Sequence, residues 1–261
     1  MCTLIALHRC VSGAPLVVAA NRDEFCDRPS AGPVLRDTAQ GPILAPSDEW
    51  AGGTWLGVTP RGLFAAVTNR RCGEPDPRRR SRGLLVLDAL SAASAREAAE
   101  GIETLPSETY NPFNLFVADR EWASVITYDG GPRRTDLEPG AHVIGNVDPA
   151  APPPPKLVRQ LEQARAAADA GPDRVLDRLA EVCRDHDGGG DPFGATCVHA
   201  GVYGTCSSTM LQLADSNTGG IFRFADGPPC ATEYEDFTHL LRDLSSGPGT
   251  VEGVASAREA S

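Results

Sequence analysis

Two stretches near the start of the chain constrain its fold more than any other feature. Thr3–His8 and Leu16–Ala20 are nearly continuous apolar runs, separated by the turn signal Gly13-Ala14-Pro15. A strand that is apolar on both faces has to be covered on both, so these two belong to a sheet with further layers above and below it. The second run ends abruptly at Asn21-Arg22-Asp23-Glu24. Four polar side chains in succession at the end of a covered strand need partners, because burial without them is costly. If the two runs form an antiparallel hairpin, the chain start at Cys2 comes to lie beside residues 21–23.

The rest of the chain supplies the other layers. Ile43–Ala45, Thr54–Thr59 and Leu63–Thr68 are strand candidates, the last two joined by a Pro60-Arg61-Gly62 turn. Ser81–Ala92 has helical spacing, with Leu84, Leu87 and Leu90 on one face, and Ser94–Ile102 continues as an alanine-rich helix with Glu97 in its first turn. Asn114–Ala118 and Ser124–Tyr128 form a hairpin pattern, and His142–Ile144 is a short strand. The run Pro152–Pro155 leads into a helix over Lys156–Ala168. Asp173–His186 is a second helix, buried along Val175, Leu176, Leu179 and Val182. Val198–Tyr203, Thr209–Leu213 and Ile221–Phe224 close the pattern with strands. There is no internal repeat. One domain over residues 1–245 is expected, with a small, polar tail over 246–261 that is expected to be disordered. Helices layered on sheets follow, of class α+β or α/β.

Charge and composition exclude several functions. A net charge of −11 gives no basic footprint for nucleic acid. The dense basic run Arg78-Arg79-Arg80, with Arg82 beyond it, reads as a solvated loop entering a helix. No apolar run reaches the roughly 20 residues that a transmembrane helix needs. The first residues lack the basic leader of a signal peptide, and position 2 is not the glycine of a myristoylation site, so a cytoplasmic protein is expected. The cysteines at 2, 10, 26, 72, 183, 197, 206 and 230 should then stay reduced. None forms a CxxC pair. The nearest approach to a metal pattern is Cys183-x2-His186 followed by Cys197-x-His199, flanking Gly188–Gly190. Zinc would require four such groups to converge. The expectation is scattered thiols, no metal and no cofactor.

Cys2 is different in kind. Removal of Met1 would leave one residue carrying both a nucleophilic thiol and a free α-amine, whose ordinary pKa of about 7.7–8.0 suits a general base. A nucleophile needs an activating base nearby, and here one residue supplies both. In this reading Asp23 orients the amine and Arg22 offsets charge beside it.

Met-Cys-Thr-Leu-Ile at the start, Ala19–Phe25 with Arg28-Pro29, and Gly52-Gly53-Thr54-Trp55-Leu56-Gly57 resemble the NRDE family, also called transport and Golgi organisation protein 2. Further matching blocks are Ala65–Asn69, Ser81-Arg82-Gly83, Tyr110–Leu115 and Tyr203-Gly204-Thr205 with Ser207-Ser208-Thr209. The resemblance implies a four-layer αββα sandwich of Ntn-hydrolase type, α+β in class, similar to penicillin V acylase and bile salt hydrolases. It further implies that Cys2 is the nucleophile, that Asp23 contacts its amine, and that Asn69 and Asn146 serve as oxyanion or amine ligands, a role their amide donors suit. Asn21, Arg22, Trp50, Trp55 and Phe64 are the expected substrate-binding residues, with Trp55 readable equally as core. Two departures stand out. The acylases have an arginine three residues before their aspartate, where this chain has Ala20, and Cys206 stands where an arginine is expected in the Tyr-Gly-Thr block.

The function implied is an N-terminal-cysteine hydrolase or acyltransferase acting on an amide, thioester or ester bond of a small acyl substrate. The alternative from another class is a non-enzymatic carrier of haem or lipid, with Cys2, His8 or Cys10 as iron ligands. A purely structural scaffold is the third reading, and it leaves Cys2 without a purpose.

Overall fold

The computed structural model describes residues 2–70, 73–215 and 220–246. The expected disordered tail lies outside these, apart from Ser246, and so does Cys72. The two apolar runs form strands β1 (Thr3–Val11) and β2 (Ala14–Phe25), paired antiparallel with Thr3 opposite Asn21 and Leu7 opposite Val17. Both are longer than their apolar cores. Strand β2 carries its hydrogen bonding straight through Asn21-Arg22-Asp23-Glu24, because a neighbour on its other side provides partners for the polar residues.

The second sheet begins with β3 (Ser30–Thr38), β4 (Gly41–Asp48), β5 (Leu56–Val58) and β6 (Phe64–Asn69). Helices α1 (Arg82–Leu90) and α2 (Ala95–Glu103) follow. Ser94 caps α2 by accepting from the Glu97 N–H, the role its S-x-x-E spacing implies. Strands β7 (Phe113–Ala118), β8 (Ala123–Tyr128) and β9 (Pro132–Asp136) complete that sheet, in the order β3-β4-β5-β6-β7-β8-β9. The chain then returns to the first sheet with β10 (Gly140–Ile144) beside β1. Helices α3 (Pro155–Asp169) and α4 (Val175–Arg184) come next, followed by β11 (His199–Ala200), β12 (Tyr203–Leu213), β13 (Gly220–Ala225) and β14 (Glu235–Asp236). The first sheet runs β10-β1-β2-β12-β13-β14, with β11 paired to β12. Helix α5 (Thr238–Ser246) packs against β13, β4 and β3.

Three buried clusters mark three interfaces between four layers. One lies between the sheets and includes Leu4, Val18, Phe64, Phe116, Leu211 and Phe222. A second joins the β3–β9 sheet to α1 and α2 through Leu85, Val86, Ala98 and Ile102. The third joins the first sheet to α3 and α4 through Ile5, Val17, Ala164, Leu179 and Val182. This is the αββα sandwich. It explains why Leu16–Ala20 shows no alternation, since one of its faces meets helices and the other meets a sheet.

Some elements differ from expectation. Val198–Tyr203 is not one strand. It is a two-residue strand and a turn through Gly201 (φ +72°) into β12, which continues unbroken to Leu213 through the polar Ser207-Ser208-Thr209. The strand expected over Thr54–Thr59 is confined to Leu56–Val58. The helix expected to end at His186 stops at Arg184, and Asp185 is extended. Strands β3 and β9 and helix α5 had no clear signal, since β3 and β9 are largely exposed and carry charge. None of the helices among the described residues is long and apolar enough to cross a membrane.

Candidate active site

The pairing of Thr3 with Asn21, carried one residue further, sets Cys2 level with Arg22. There the Cys2 thiol donates to the Asp23 carbonyl at 3.8 Å, at the weak limit for a sulfur donor. Asp23 is 2% exposed. Its carboxylate accepts from the Thr205 hydroxyl at 2.7 Å, and its carbonyl accepts from the Tyr203 hydroxyl at 2.9 Å. Thr205 in turn accepts from the Val198 N–H at 2.8 Å, so its donor points at Asp23. The Tyr-Gly-Thr block thus acquires a purpose in positioning Asp23, which its motif status alone did not reveal. Gly204 is needed between the two, because a Cβ there would lie 2.6 Å from the Val198 carbonyl.

Burial pushes the Asp23 carboxyl up to about 6, against the opposing effects of the Thr205 hydrogen bond and the charge of Lys156. Burial also raises the Cys2 thiol, and the negative charge of Asp23 adds to the rise. Cys2 therefore rests as a thiol rather than a thiolate, and its activation has to come from a base acting during attack.

Cys2 lines a cleft of about 600 Å³ together with Arg22, Trp50, Thr54, Trp55, Val67 and Asn69. The Arg22 guanidinium lies 4.6 Å over the Trp55 ring and donates to the Ser30 hydroxyl at 3.4 Å. Arg22 is 5% exposed and forms no ion pair with any described residue. Trp50 is exposed at the rim, with Arg28 5.5 Å over its ring, and Arg28 itself is paired with Asp48 at 2.6 Å. The basic run on the far wall is largely neutralised from within, Arg78 by Asp76, Arg79 by Glu108 and Arg80 by Asp88.

Asn69 closes β6 in the second sheet, and Asn146 follows β10 in the first. A hydrogen bond from the Asn146 amide to the Asn69 carbonyl joins them. The loop carrying Asn146 is pinned across the two sheets. The Thr68 hydroxyl donates to the Gly145 carbonyl at 2.7 Å, and the buried Asn114 amide donates to Gly145 and Val147 at 3.0 and 2.8 Å. Asn114 was part of a recognised block, yet its tethering role is visible only in three dimensions. The glycine motifs resolve in a similar way. Gly52 turns at φ +75°, and a Cβ on Gly53 would come within 2.2 Å of the Gly83 carbonyl carbon. Gly52-Gly53 and Ser81-Arg82-Gly83 are therefore two halves of one backbone contact on the cleft wall, closed by the Thr54 N–H to Gly83 carbonyl bond at 3.1 Å.

Two expected substrate residues lie elsewhere. Phe64 is wholly buried between the sheets, because residue 64 of β6 faces the opposite sheet and not the cleft. The Asn21 amide donates to the Cys183 and Thr196 carbonyls at 2.9 and 3.1 Å, so it fastens the sheet to the α4 layer. Cys206 sits at an irregularity in the β2–β12 pairing, against the Glu24 carbonyl at 3.4 Å, and does not line the Cys2 cleft. The iron ligands considered for a carrier do not converge either. His8 is buried against the Asp119 carbonyl, six residues along β1 from Cys2 and so about 20 Å away. Cys183 is buried in α4, with burial pushing its thiol up to about 12. The group that does draw together is His186, Cys197, His199 and Cys230, none of which lines the cleft.

A family model described as Transport and Golgi organisation 2 matches residues 1–222. The chain belongs to that family. Among curated relatives, the Transport and Golgi organization 2 homolog of Mus musculus is 32% identical over 77% of this chain and 83% of its own length. The human homolog is 30% identical over 76% and 82%. Solved structures with the same fold include a Caenorhabditis elegans ortholog of N-acylethanolamine-hydrolyzing acid amidase, at 14% identity and TM-score 0.52, covering 80% of this chain and 91% of that one. Conjugated bile acid hydrolase from Clostridium perfringens matches at 12% identity and TM-score 0.55, over 95% of each chain. The fold of this Transport and Golgi organisation 2 family member is thus that of the Ntn-hydrolases.

Proposed function

We propose that the protein is an N-terminal-cysteine hydrolase or acyltransferase working through an acyl-enzyme on Cys2. The observation that supports this best is the placement of the Cys2 thiol in a cleft of about 600 Å³, against the main-chain carbonyl of Asp23, whose own carboxyl is buried. Solved relatives in fold, named as an acid amidase and a bile acid hydrolase, support the same reading by analogy.

In this mechanism, loss of Met1 frees the α-amine of Cys2. The amine takes the thiol proton as sulfur attacks the acyl carbonyl, forming the S–C bond and a tetrahedral oxyanion. The Asn69 side-chain amide and the remaining amide hydrogen of Asn146 donate to that oxyanion. Collapse breaks the bond to the leaving nitrogen, oxygen or sulfur, which receives the proton from the ammonium. Water, or an acyl acceptor, then attacks the thioester with the amine again as base, which restores the thiol. Asp23, ionised above about pH 6, holds the ammonium between these steps. Arg22, a buried cation with no acidic partner among the described residues, favours an acyl substrate with an anionic group, and Trp50 and Trp55 offer apolar contact for its body.

Selective labelling tests the assignment. Near neutral pH, a β-lactone or iodoacetamide probe should modify Cys2 ahead of the other cysteines, and Cys2→Ala should abolish that labelling while circular dichroism stays unchanged. Labelling of Cys2→Ala equal to the wild type would overturn the reading.

A further inference from the structure

A second site lies outside the cleft. His186 follows α4, Cys197 and His199 straddle Val198 at the start of β11, and Cys230 lies in the turn after β13. These three separate chain segments bring one ligand atom from each of four residues within 4.8 Å of one another. Cys197 Sγ lies 3.6 Å from Cys230 Sγ and 3.7 Å from His199 Nε2, and His199 Nε2 lies 3.3 Å from Cys230 Sγ. Around one tetrahedral zinc ion, with bonds of about 2.3 Å to sulfur and 2.0–2.1 Å to nitrogen, two sulfurs stand about 3.8 Å apart and a sulfur and a nitrogen about 3.6 Å apart. The observed edges match to within a few tenths of an ångström. The fourth residue completes the set, since the His186 ring stacks on that of His199 with centroids 5.0 Å apart.

The scaffold beneath these residues is built from backbone hydrogen bonds. The Asp185 carbonyl accepts from the N–H groups of Thr196 and Cys197 at 3.0 and 2.9 Å, which folds the 185–197 loop back on itself. Arg184 Nε donates to the Pro229 carbonyl at 2.9 Å, drawing the Cys230 turn against the end of α4. Within the loop, a Cβ on Gly188 would lie 2.1 Å from the Asp191 carbonyl oxygen, so the close turn requires glycine. Thiols are weak hydrogen-bond donors and would gain little from this arrangement on their own.

We propose that His186, Cys197, His199 and Cys230 bind one Zn²⁺ ion as a closed structural site. Two thiolates and two neutral imidazoles balance the charge of the ion, and binding releases the two thiol protons to solvent. Four protein ligands leave no position for substrate, so the ion is a clip and not a catalyst. It fastens the turn after β13 and the 185–199 segment to the end of α4. Because the Val198 N–H donates to Thr205, and Thr205 donates to Asp23, the clip steadies the strand that positions Asp23. The S₂N₂ donor set selects zinc over magnesium or calcium, which prefer oxygen.

The test uses the full chain, purified without a histidine tag under thiol-protecting conditions. Elemental analysis should find about one zinc per chain. Replacement by Co²⁺ should give the intense visible bands and sulfur-to-cobalt charge transfer of a tetrahedral thiolate site. The surface variants Cys230→Ser and His186→Ala should lose or shift that spectrum and weaken zinc binding at least tenfold. Cys2→Ala and Cys26→Ser should keep it, which separates this site from the cleft. A weak octahedral cobalt spectrum would overturn the proposal, as would a spectrum unchanged in both ligand variants. A Cys197–Cys230 disulfide in protein trapped directly from cells would do the same.

Discussion

Replacing Asp23 with asparagine should stabilise the protein, and the gain should grow with pH. Asp23 is buried, and burial lifts its carboxyl from the ordinary 3.8 to about 6. The folded state therefore binds a proton more tightly than the unfolded state across that interval, and stability falls as pH rises through it. Each pKa unit corresponds to about 1.36 kcal/mol, so ionising Asp23 in place costs up to ~3 kcal/mol, fully incurred above about pH 6 and absent below about pH 4. The substituted amide would keep an oxygen to accept from Thr205 and would carry no charge. Urea unfolding of wild type and Asp23→Asn at a series of pH values, at constant ionic strength, measures the effect directly. The variant should match the wild type near pH 4 and exceed it by up to ~3 kcal/mol near pH 7, while losing Cys2 reactivity. A difference that does not change with pH would refute this electrostatic picture, and so would a wild type that gains on the variant as pH rises. A residue whose replacement stabilises the fold but disables its chemistry is retained for that chemistry.

Further outcomes follow from the packing around the cleft. Gly53→Ala places a methyl group in the Gly83 backbone and should lower stability by about 3 kcal/mol, read as a drop in the thermal midpoint. Gly83→Ala, whose Cβ would meet Thr54 and Gly53 only at 3.2 Å and beyond, should cost less. Asn114→Leu removes both amide donors from the Gly145 and Val147 carbonyls and should cost about 2–4 kcal/mol. It should also slow Cys2 labelling by releasing Asn146, and hydrogen exchange at 145–147 should rise.

The sequence made the layered fold readable because the strongest signals come from its most deeply buried parts. Leu16–Ala20 lacks alternation since helices cover one face and a sheet the other, and α4 follows its apolar stripe, whereas α1 buries Leu85, Val86, Ala89 and Leu90 and leaves the expected Leu84 and Leu87 only half-buried. Strands β3 and β9 were illegible for the opposite reason. They lie at the two edges of their sheet, where exposure permits Arg36, Asp37, Arg133 and Arg134. At the site, the hairpin register was enough to place Cys2 beside Arg22 and Asp23. The direction of a side chain was harder to read. Phe64 and Asn21 sit on strands that reach the cleft, yet each points to another layer, and sequence alone does not settle which face a strand buried on both sides presents. The His186–Cys197–His199–Cys230 group was hidden by its spacing, since Cys230 enters 31 residues after His199 in place of the adjacent Cys183.

In the proposed mechanism Cys2 carries an acyl group during turnover. Protein from its native host is incubated with a simple acyl thioester, quenched in acid, and examined by intact mass and peptide mapping. The expected product is a chain lacking Met1, with one acyl adduct confined to the peptide that begins at Cys2, released by hydroxylamine and absent from Asp23→Asn and Cys2→Ala. A chain that retains Met1, or adducts spread evenly over the accessible cysteines, would contradict it.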